Sequence, residues 1–388
     1  MNPQSSESSS IPVVPQIFWR EGDQGCVADW RSEAGVPAPA RVQVVDDTTT
    51  ADTAYRLACE GTALLWRGDF QNARQLLQAM ARRIDRRPSS GKAPANLTEA
   101  FHRKRMAQAQ RVRTLGMLLI PFDAGHVIPL RRAPEVREAC DAAYGPAARA
   151  YVSSLRELLG LVGAYEWRRK GVAIPALAGR IHPHYGVFSP VRGEYVELLA
   201  RAAWPGGVCP DRAFDIGTGT GVLAAVLARR GVTRVIATDQ DERALACARD
   251  NVAQLDLAPA VEIVKADLFP DGRAPLIVCN PPWVPGKPSS ALEYAIYDPD
   301  SRMLRGFLNG LAGHLTPGGE GWLILSDLAE HLGLRSRDTL LGWVAAAGLT
   351  VRGREDVRPQ HGKAQDAGDP LYLARAAEVT SLWRLAAA

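Results

Sequence analysis

Short apolar runs alternate with helical patterns through the second half of this 388-residue chain. Buried strands are predicted at RAFDIG, RVIATD, AVEIVKAD, PLIVCN and GWLILSD, which cover residues 212–217, 234–239, 260–267, 275–280 and 321–327. Helical patterns lie between these strands, at 220–231, 241–255 and about 300–315. Strands separated by helices at this spacing form βαβ units, so the sequence predicts an α/β fold with a parallel, doubly wound sheet.

The end of the chain follows a different pattern. A helix is predicted at 336–347, and two strand-like runs, TVRGREDV and PLYLARAAEVTSLWRLA, follow it. Because no helical pattern separates these two runs, we expect a final antiparallel hairpin.

The first half predicts a separate domain. A Pro/Gly-rich stretch at 168–190 marks a boundary. Residues 53–84 have apolar residues at helical spacing, interrupted by Gly68 and Asp69, which predicts a helical hairpin. The predicted organisation is a disordered tail at 1–15, a mostly helical recognition domain at 16–179, with further helices at 97–115 and 134–165, and the α/β domain at 180–388.

Positive charge is concentrated in the first half. The net charge of the chain is +4, but residues 1–179 carry +6 and residues 180–388 carry −2. Residues 82–113 contain ten basic and two acidic residues. This stretch is either a site for RNA or another acidic partner, or a solvated helical face.

The composition also bears on location and metals. No apolar run is long enough to span a bilayer, and the amino terminus lacks a basic-then-apolar signal, so we expect a cytoplasmic protein without membrane contact. The six cysteines show no spacing typical of zinc ligands. His182 and His184 lack carboxylate or cysteine neighbours in the sequence, so no metal site is predicted.

A glycine-rich loop follows the first strand of the α/β region. FDIGTGTGVLAAVLARRG places Gly217, Gly219 and Gly221 between a strand and a helix. Glycines permit a tight turn and let a ligand approach the backbone beside a helix N-terminus. Dinucleotide-binding proteins use similar loops, so the loop alone predicts a ligand site without naming the ligand.

Polar residues end the next three strands. Asp239 ends the second strand, where a carboxylate can accept two ribose hydroxyls. Asp267 ends the third strand, and Asn280 ends the fourth. Because the carboxyl ends of parallel strands meet at one edge of the sheet, we expect these groups to line one crevice.

In this order, FDIGTGTG, ATDQDERAL, VKADLF and VCNPPW resemble the class I S-adenosylmethionine-dependent methyltransferases. More narrowly, they are similar to amino-methyltransferases with an (Asn/Asp/Ser)-Pro-Pro-(Tyr/Phe/Trp) motif. That group includes the release-factor glutamine methyltransferases and the ribosomal-RNA guanine and adenine amine methyltransferases. Over 180–388 the resemblance implies a Rossmann-like, seven-stranded sheet with an antiparallel last strand, and S-adenosylmethionine as cofactor.

The resemblance also implies roles for individual residues. The glycine loop would pass beneath the methionine part of the cofactor, with Asp215 near its amino group. Asp239 would hold the ribose, and Asp267 with Leu268 would hold the adenine edge. An upstream loop in HPHYGVFSPVRGEYVELLA would cover the cofactor or grip its carboxylate, with the candidates Tyr185, Phe188 and Arg192.

The motif Asn280-Pro281-Pro282-Trp283 predicts the acceptor site. An amide or aniline-type nitrogen is a poor nucleophile because its lone pair is delocalised. The Asn280 side-chain oxygen and the Pro281 carbonyl can accept its N–H groups and favour a pyramidal nitrogen, without a metal. Pro282 stiffens the turn, and Trp283 offers a flat face for stacking.

The identity of the acceptor stays open. A macromolecular amine, either an RNA base or a protein glutamine, is favoured by the basic first half. The short match of GVFS to the guanine-amine enzymes argues against a release factor. The alternatives are N-methylation of a small molecule in a biosynthetic pathway, a catalytically silent RNA-binding or scaffold module, and a nicotinamide oxidoreductase. The last has no use for the Asn-Pro-Pro-Trp motif.

Overall fold

The computed structural model describes residues 14–86, 92–191, 193–288, 291–359, 366 and 368–388. They form two compact units: the described residues of Met1–Ser89 with Gln110–Val162, and those of Ser90–Ala109 with Gly163–Ala388. The predicted boundary after residue 179 therefore lies too late, and it misses that 90–109 belong to the second unit. The reason is a long-range apolar cluster in which Phe101 packs with Leu332 and Leu371. The predicted tail at 1–15 lies almost wholly outside the described residues.

The first unit contains a mixed sheet. Among its described residues, six strands have the order β1-β2-β6-β5-β4-β3. The strands are β1 (Gln16–Glu21), β2 (Gln24–Trp30), β3 (Val42–Val45), β4 (Ala63–Trp66), β5 (Leu118–Phe122) and β6 (Tyr151–Ser154). Between residues 51 and 170 the helices are α1 (Ala51–Cys59), α2 (Phe70–Arg86), α3 (Leu97–Gly116), α4 (Arg137–Tyr144) and α5 (Leu155–Lys170). The unit division falls within α3, after Ala109, and within α5, after Val162.

The prediction of a mostly helical N-terminal domain is wrong because it missed this sheet. The predicted helical hairpin at 53–84 is in fact α1, the strand β4 and α2. All four residues of β4 are buried, as are all five of β5 and all four of β6. A strand that is buried on both faces shows no polar–apolar alternation, and its short apolar run resembles a piece of buried helix.

The second unit contains the predicted doubly wound sheet. Among its described residues, seven strands have the order β11-β10-β9-β12-β13-β15-β14. In chain order they are β9 (Arg212–Ile216), β10 (Arg234–Asp239), β11 (Val261–Lys265), β12 (Ala274–Cys279), β13 (Leu315–Ser326), β14 (Leu349–Val357) and β15 (Thr380–Ala387). They are preceded by the small antiparallel pair β7 (Val172–Ile174) and β8 (Gly179–Ile181). The strands from β11 to β13 pair in parallel, and β15 is antiparallel to both neighbours, as predicted.

Helices cover the sheet on both faces. They are α6 (Glu194–Arg201), α7 (Val222–Arg229), α8 (Glu242–Gln254), α9 (Arg302–His314), α10 (Leu328–His331), α11 (Arg337–Ala346) and α12 (Tyr372–Ala377). One apolar core contains α6 and α7, and the other contains α9 and α11. Within the described parts of the chain, no helix is both long and apolar enough to cross a membrane.

The predicted hairpin at the end of the chain contains a helix that the sequence reading missed. The run PLYLARAAEV forms α12 between β14 and β15. Leu371 and Ala374, three residues apart, are both buried in the cluster that contains Phe101. Two buried residues are too few to establish a helical periodicity, and the surrounding run is also typical of a strand. The sequence pattern alone therefore does not distinguish a helix from a strand here.

Candidate active site

The strand order reverses between β9 and β12, and the candidate site lies at the carboxyl ends of these strands. From β9 the chain adds β10 and β11 on one side, and then returns to place β12 on the other. Open α/β sheets bind ligands in the crevice at such a point. A cavity of about 1160 Å³ occupies this position, and its lining includes Gly217, Gly219, Asp239 and Asn280. The predicted convergence of successive strand ends is therefore present in the structure.

The glycine loop connects β9 to α7 through left-handed backbone. Gly217, Gly219 and Gly221 have φ values of 72°, 55° and 80°. A Cβ at Gly217 would collide with the Met303 methyl group, whereas a Cβ at Gly219 would meet nothing within 4 Å. Gly219 therefore presents bare backbone to the open space of the cavity, which is what close approach by a ligand requires.

Asp215 braces this loop from behind and does not line the cavity. Its Oδ2 accepts hydrogen bonds from the Thr218 hydroxyl (2.6 Å) and the Ala224 N–H (3.1 Å). Its Oδ1 is buried and has no hydrogen-bond partner in the structure. Burial raises the pKa of the Asp215 carboxyl to about 6, against the lowering effect of its two donors.

The Asp239 carboxylate is held at the edge of the cavity by backbone donors. Its Oδ2 accepts from the Gly219 N–H and its Oδ1 from the Asp241 N–H, each at 3.0 Å. Burial raises the pKa of this carboxyl, and the backbone hydrogen bonds partly oppose the rise. Each oxygen keeps further lone-pair capacity, so the carboxylate can accept two ligand hydroxyls.

Asp267 and Leu268 also line the cavity. Asp267 is exposed and forms an ion pair with Arg302 at 3.2 Å. Leu268 has a φ of 76°, a left-handed conformation that is unusual for a leucine, and its carbonyl accepts a hydrogen bond of 2.5 Å from the Thr238 hydroxyl. This bond fixes the turn that brings Leu268 to the cavity.

The Asn-Pro-Pro-Trp motif follows β12 directly, and all four of its residues line the cavity. The Trp283 indole N–H donates a hydrogen bond of 2.8 Å to the Asn280 Oδ1. This bond fixes the orientation of the Asn280 amide, and it leaves Oδ1 one lone pair for another donor. The indole therefore positions Asn280 as well as offering a face for stacking, a role that the motif alone did not indicate.

A buried arginine holds the turn that contains the motif. Arg335 is 5% exposed, and its guanidinium makes long hydrogen bonds to the Trp283 carbonyl (3.4 Å) and the Ser301 hydroxyl (3.5 Å). Burial lowers the pKa of Arg335. The nearby Asp298 carboxylate accepts from the Met303 and Leu304 N–H groups at the start of α9. No sequence pattern connects Arg335 to a motif some fifty residues earlier, because the contact exists only in the folded chain.

Of the two described candidates in the predicted upstream loop, one lines the cavity. Phe188 lines the cavity, and Tyr185 does not. Arg192 lies outside the described residues. The two histidines of this segment have structural partners: His182 contacts the Arg168 carbonyl, and His184 Nε2 lies 2.8 Å from Asp250 Oδ2.

A helix from earlier in the chain forms another wall, which the sequence analysis missed. Phe101, Lys104, Arg105 and Gln108, from the part of α3 that belongs to the second unit, line the cavity. The sequence singles out 82–113 by its positive charge, and that charge does not indicate that the segment forms part of this cavity. Only the long-range contacts of the fold reveal its position.

Comparison with known proteins identifies the domain. Residues 180–336 match the family model of the methyltransferase small domain. The chain is 34% identical over 177 residues to a release factor glutamine methyltransferase of Cereibacter sphaeroides, covering 42% of this chain and 58% of that protein. It is 32% identical over 163 residues to a ribosomal protein L11 methyltransferase of Pelotomaculum thermopropionicum, covering 42% and 44%. It is 38% identical over 87 residues to a tRNA1(Val) (adenine(37)-N6)-methyltransferase of Bacteroides thetaiotaomicron, covering 21% and 36%.

The family match lies wholly within the second unit. The chain spans about half the length of the curated relatives it matches, from 36% to 58% for the three above. A solved methyltransferase from Pyrococcus furiosus aligns with a TM-score of 0.36 and 21% identity, over 53% of this chain and 88% of that one. The family match, the relatives and the sheet order agree with the resemblance inferred from the motifs. Residues 180–336 thus form a methyltransferase small domain of the class I, S-adenosylmethionine-dependent type.

Proposed function

We propose that this protein transfers a methyl group from S-adenosylmethionine to a planar nitrogen, an amide or an exocyclic amine, on a macromolecule. The observation that carries the proposal is the placement of Asn280 and Trp283 in the same cavity as the glycine loop and Asp239. The relatives support a macromolecular acceptor, because their names specify a release factor glutamine, ribosomal protein L11 and a tRNA adenine.

The residues of the cavity fit the cofactor. Gly219 leaves open space where a side chain would otherwise project, and the Asp239 carboxylate is prearranged by two backbone donors. The unpartnered Asp215 Oδ1 places a buried acceptor behind the loop. Asp239 would hold the ribose hydroxyls, and Asp267 with Leu268 would contact the adenine edge. Bound S-adenosylmethionine would supply an electrophilic methyl group on its sulfonium.

The chain's own contribution is to orient and activate the acceptor nitrogen. The Asn280 Oδ1, fixed by the Trp283 indole, and the Pro281 carbonyl would each accept one N–H of that nitrogen. Two acceptors in fixed positions favour the pyramidal geometry in which the lone pair is localised, so they stabilise the transition state more than the ground state. The methylated nitrogen is cationic and strongly acidic, so it releases its proton to water after transfer.

The proposal is tested by following a labelled methyl group. The purified protein is incubated with methyl-tritiated S-adenosylmethionine and with separate protein, RNA and small-molecule fractions from cells that lack the gene. We expect label in a macromolecular fraction, and mass spectrometry should place the new methyl on nitrogen. Asn280→Ala serves as the matched low-activity control. Label confined to small molecules, or a product methylated on carbon or oxygen, would contradict the proposal.

A further inference from the structure

We propose that the cavity-lining face of α3 contacts the acceptor, and that this acceptor is a polypeptide side-chain amide and not a nucleic-acid base. The inference rests on the proposed function, since it names the substrate class of the same site. The face consists of Phe101, Lys104, Arg105 and Gln108, and we call it the α3 wall. Its packing, its ion pairs and the charge of the cavity carry the argument.

The α3 wall is anchored beside the Asn-Pro-Pro-Trp motif. Phe101 is 6% exposed and shares an apolar cluster with Val284, Leu332 and Leu371. Val284 follows the motif directly, and Trp283 packs against the same cluster. The α3 wall therefore lies beside the motif that is proposed to bind the acceptor nitrogen.

Arg105 is fixed in this wall by three interactions. Its guanidinium lies 3.9 Å from the centre of the Tyr297 ring, forms an ion pair with Glu293 at 2.9 Å and donates to the Lys287 carbonyl at 2.6 Å. Lys104 forms an ion pair with Asp369 at 2.5 Å. Both cations already have carboxylate partners, so neither presents an uncompensated positive charge to a phosphate.

Three further cations of the basic stretch also have acidic partners. Arg103 pairs with Glu99 on the same helix, and in the first unit Arg83 pairs with Asp52. Arg111 pairs with Asp85 in that unit. A nucleic-acid site needs cations that can replace the counterions of the phosphates. Five of the ten basic residues of 82–113 have acidic partners in the described structure, including both cations of the α3 wall, so the part of the segment that lines the cavity offers no unpaired cation.

The cavity itself is acidic. Its lining includes eight Asp or Glu side chains and four Lys or Arg side chains. Glu293 and Asp369 are the partners of Arg105 and Lys104, so the acidic excess comes from side chains outside these pairs and outside the proposed cofactor contacts, such as Asp241 and Glu378. An acidic cavity disfavours the phosphates that flank any RNA base, whereas a neutral amide on a polypeptide carries no such charge into it. The acceptor oxygens of Asn280 and Pro281 suit the two N–H groups of a primary amide and of an exocyclic amine alike, so the charge of the cavity is what favours the amide.

The test uses three variants on one helix. Arg105→Ala and Gln108→Ala alter the α3 wall, and Arg103→Ala is the control, because Arg103 is on the same helix and does not line the cavity. For each, the protein and RNA fractions described above are titrated with labelled S-adenosylmethionine. S-adenosylhomocysteine affinity and the melting temperature are measured in parallel.

We expect label in the protein fraction, sensitive to protease and insensitive to nuclease. Arg105→Ala should raise the protein concentration for half-maximal labelling about tenfold, the usual effect of removing a central contact arginine, with unchanged S-adenosylhomocysteine affinity. Gln108→Ala should raise it less, and Arg103→Ala should match the unaltered protein. Gln108 is exposed and belongs to no ion pair in the described structure, so its variant decides the question if Arg105→Ala does not fold.

Two results would overturn the inference. One is nuclease-sensitive label in RNA that declines steeply with salt, which would leave the proposed N-methylation standing and reassign its substrate. The other is a folded Arg105→Ala or Gln108→Ala variant that labels protein as the Arg103→Ala control does. Absence of label from both macromolecular fractions would instead count against the proposed function itself.

Discussion

Replacing Trp283 by phenylalanine separates the two roles proposed for this side chain, stacking on the acceptor and orienting Asn280. The change keeps an aromatic face in the cavity and removes the indole N–H that donates to Asn280 Oδ1 at 2.8 Å. Stacking alone would affect the ground and transition states alike and would change mainly KM. The hydrogen bond acts on the orientation of Asn280, so its loss should lower kcat.

The size of the effect follows from one hydrogen bond. A half-buried neutral bond contributes about 0.5–1.5 kcal/mol, which corresponds to a fall in kcat of about two- to thirteenfold. Trp283→Ala should lower kcat similarly and also raise KM, because it removes the aromatic face and its packing against Phe101 and its neighbours.

The assay measures labelling rates at saturating cofactor over a range of acceptor concentrations. Trp343→Phe is a matched control, because Trp343 is a half-buried tryptophan on α11 in the same unit and does not line the cavity. S-adenosylhomocysteine affinity should be the same in all three proteins. If Trp283→Phe has the kcat of Trp343→Phe, the indole does not position Asn280 and the reasoning is refuted.

Two further predictions concern the cofactor end of the cavity. Asp239→Ala should weaken S-adenosylhomocysteine binding in calorimetry at least about tenfold, because each charged hydrogen bond contributes about 1.5–3 kcal/mol; unchanged affinity would exclude Asp239 as the ribose ligand. Burial raises the pKa of Asp215 from its ordinary value of 3.8 to about 6, so the folded state holds the carboxyl proton more tightly than the unfolded state does. The free energy of unfolding should therefore fall by up to about 3 kcal/mol as the pH rises from 3.8 to 6. Asp215→Asn should remove this pH-dependent part of the unfolding free energy. The difference in unfolding free energy between the variant and the unaltered, ligand-free protein should therefore change across that pH window and stay constant above it. A difference that does not depend on pH would contradict the burial argument.

The catalytic domain was predictable because its signals are local. The alternation of strands and helices predicted the doubly wound sheet, and glycines 217, 219 and 221 do adopt the left-handed backbone that a tight ligand loop needs. Asp239 ends β10 and Asn280 follows β12, the two parallel strands on either side of β9, so the topology rules place them at one edge of the sheet. In the first unit the same reasoning failed at β4 and β5, where complete burial removes the alternation that identifies a strand.

The long-range parts of the site were not predictable from the sequence. Arg105 is compensated by Glu293, and Lys104 by Asp369, across separations of nearly two hundred residues or more. A count of basic residues therefore could not decide between a site for an acidic partner and a solvated helical face, because the acidic partners of Lys104 and Arg105 lie far away in the sequence. The indole bond from Trp283 to Asn280 spans only three residues, but it depends on the turn that the two prolines and Arg335 hold in place.

The most direct test of the central claim is Asn280→Ala in single-turnover labelling with the macromolecular acceptor. If Asn280 and Pro281 orient a nitrogen, S-adenosylhomocysteine should bind the variant as before, and the rate of methyl transfer should fall on the order of 10²–10³, by analogy with loss of one preorganised donor at an oxyanion site. The product of the unaltered protein should carry its new methyl on nitrogen. A variant that transfers methyl at the normal rate, with the cofactor site intact, would contradict the account of the acceptor site.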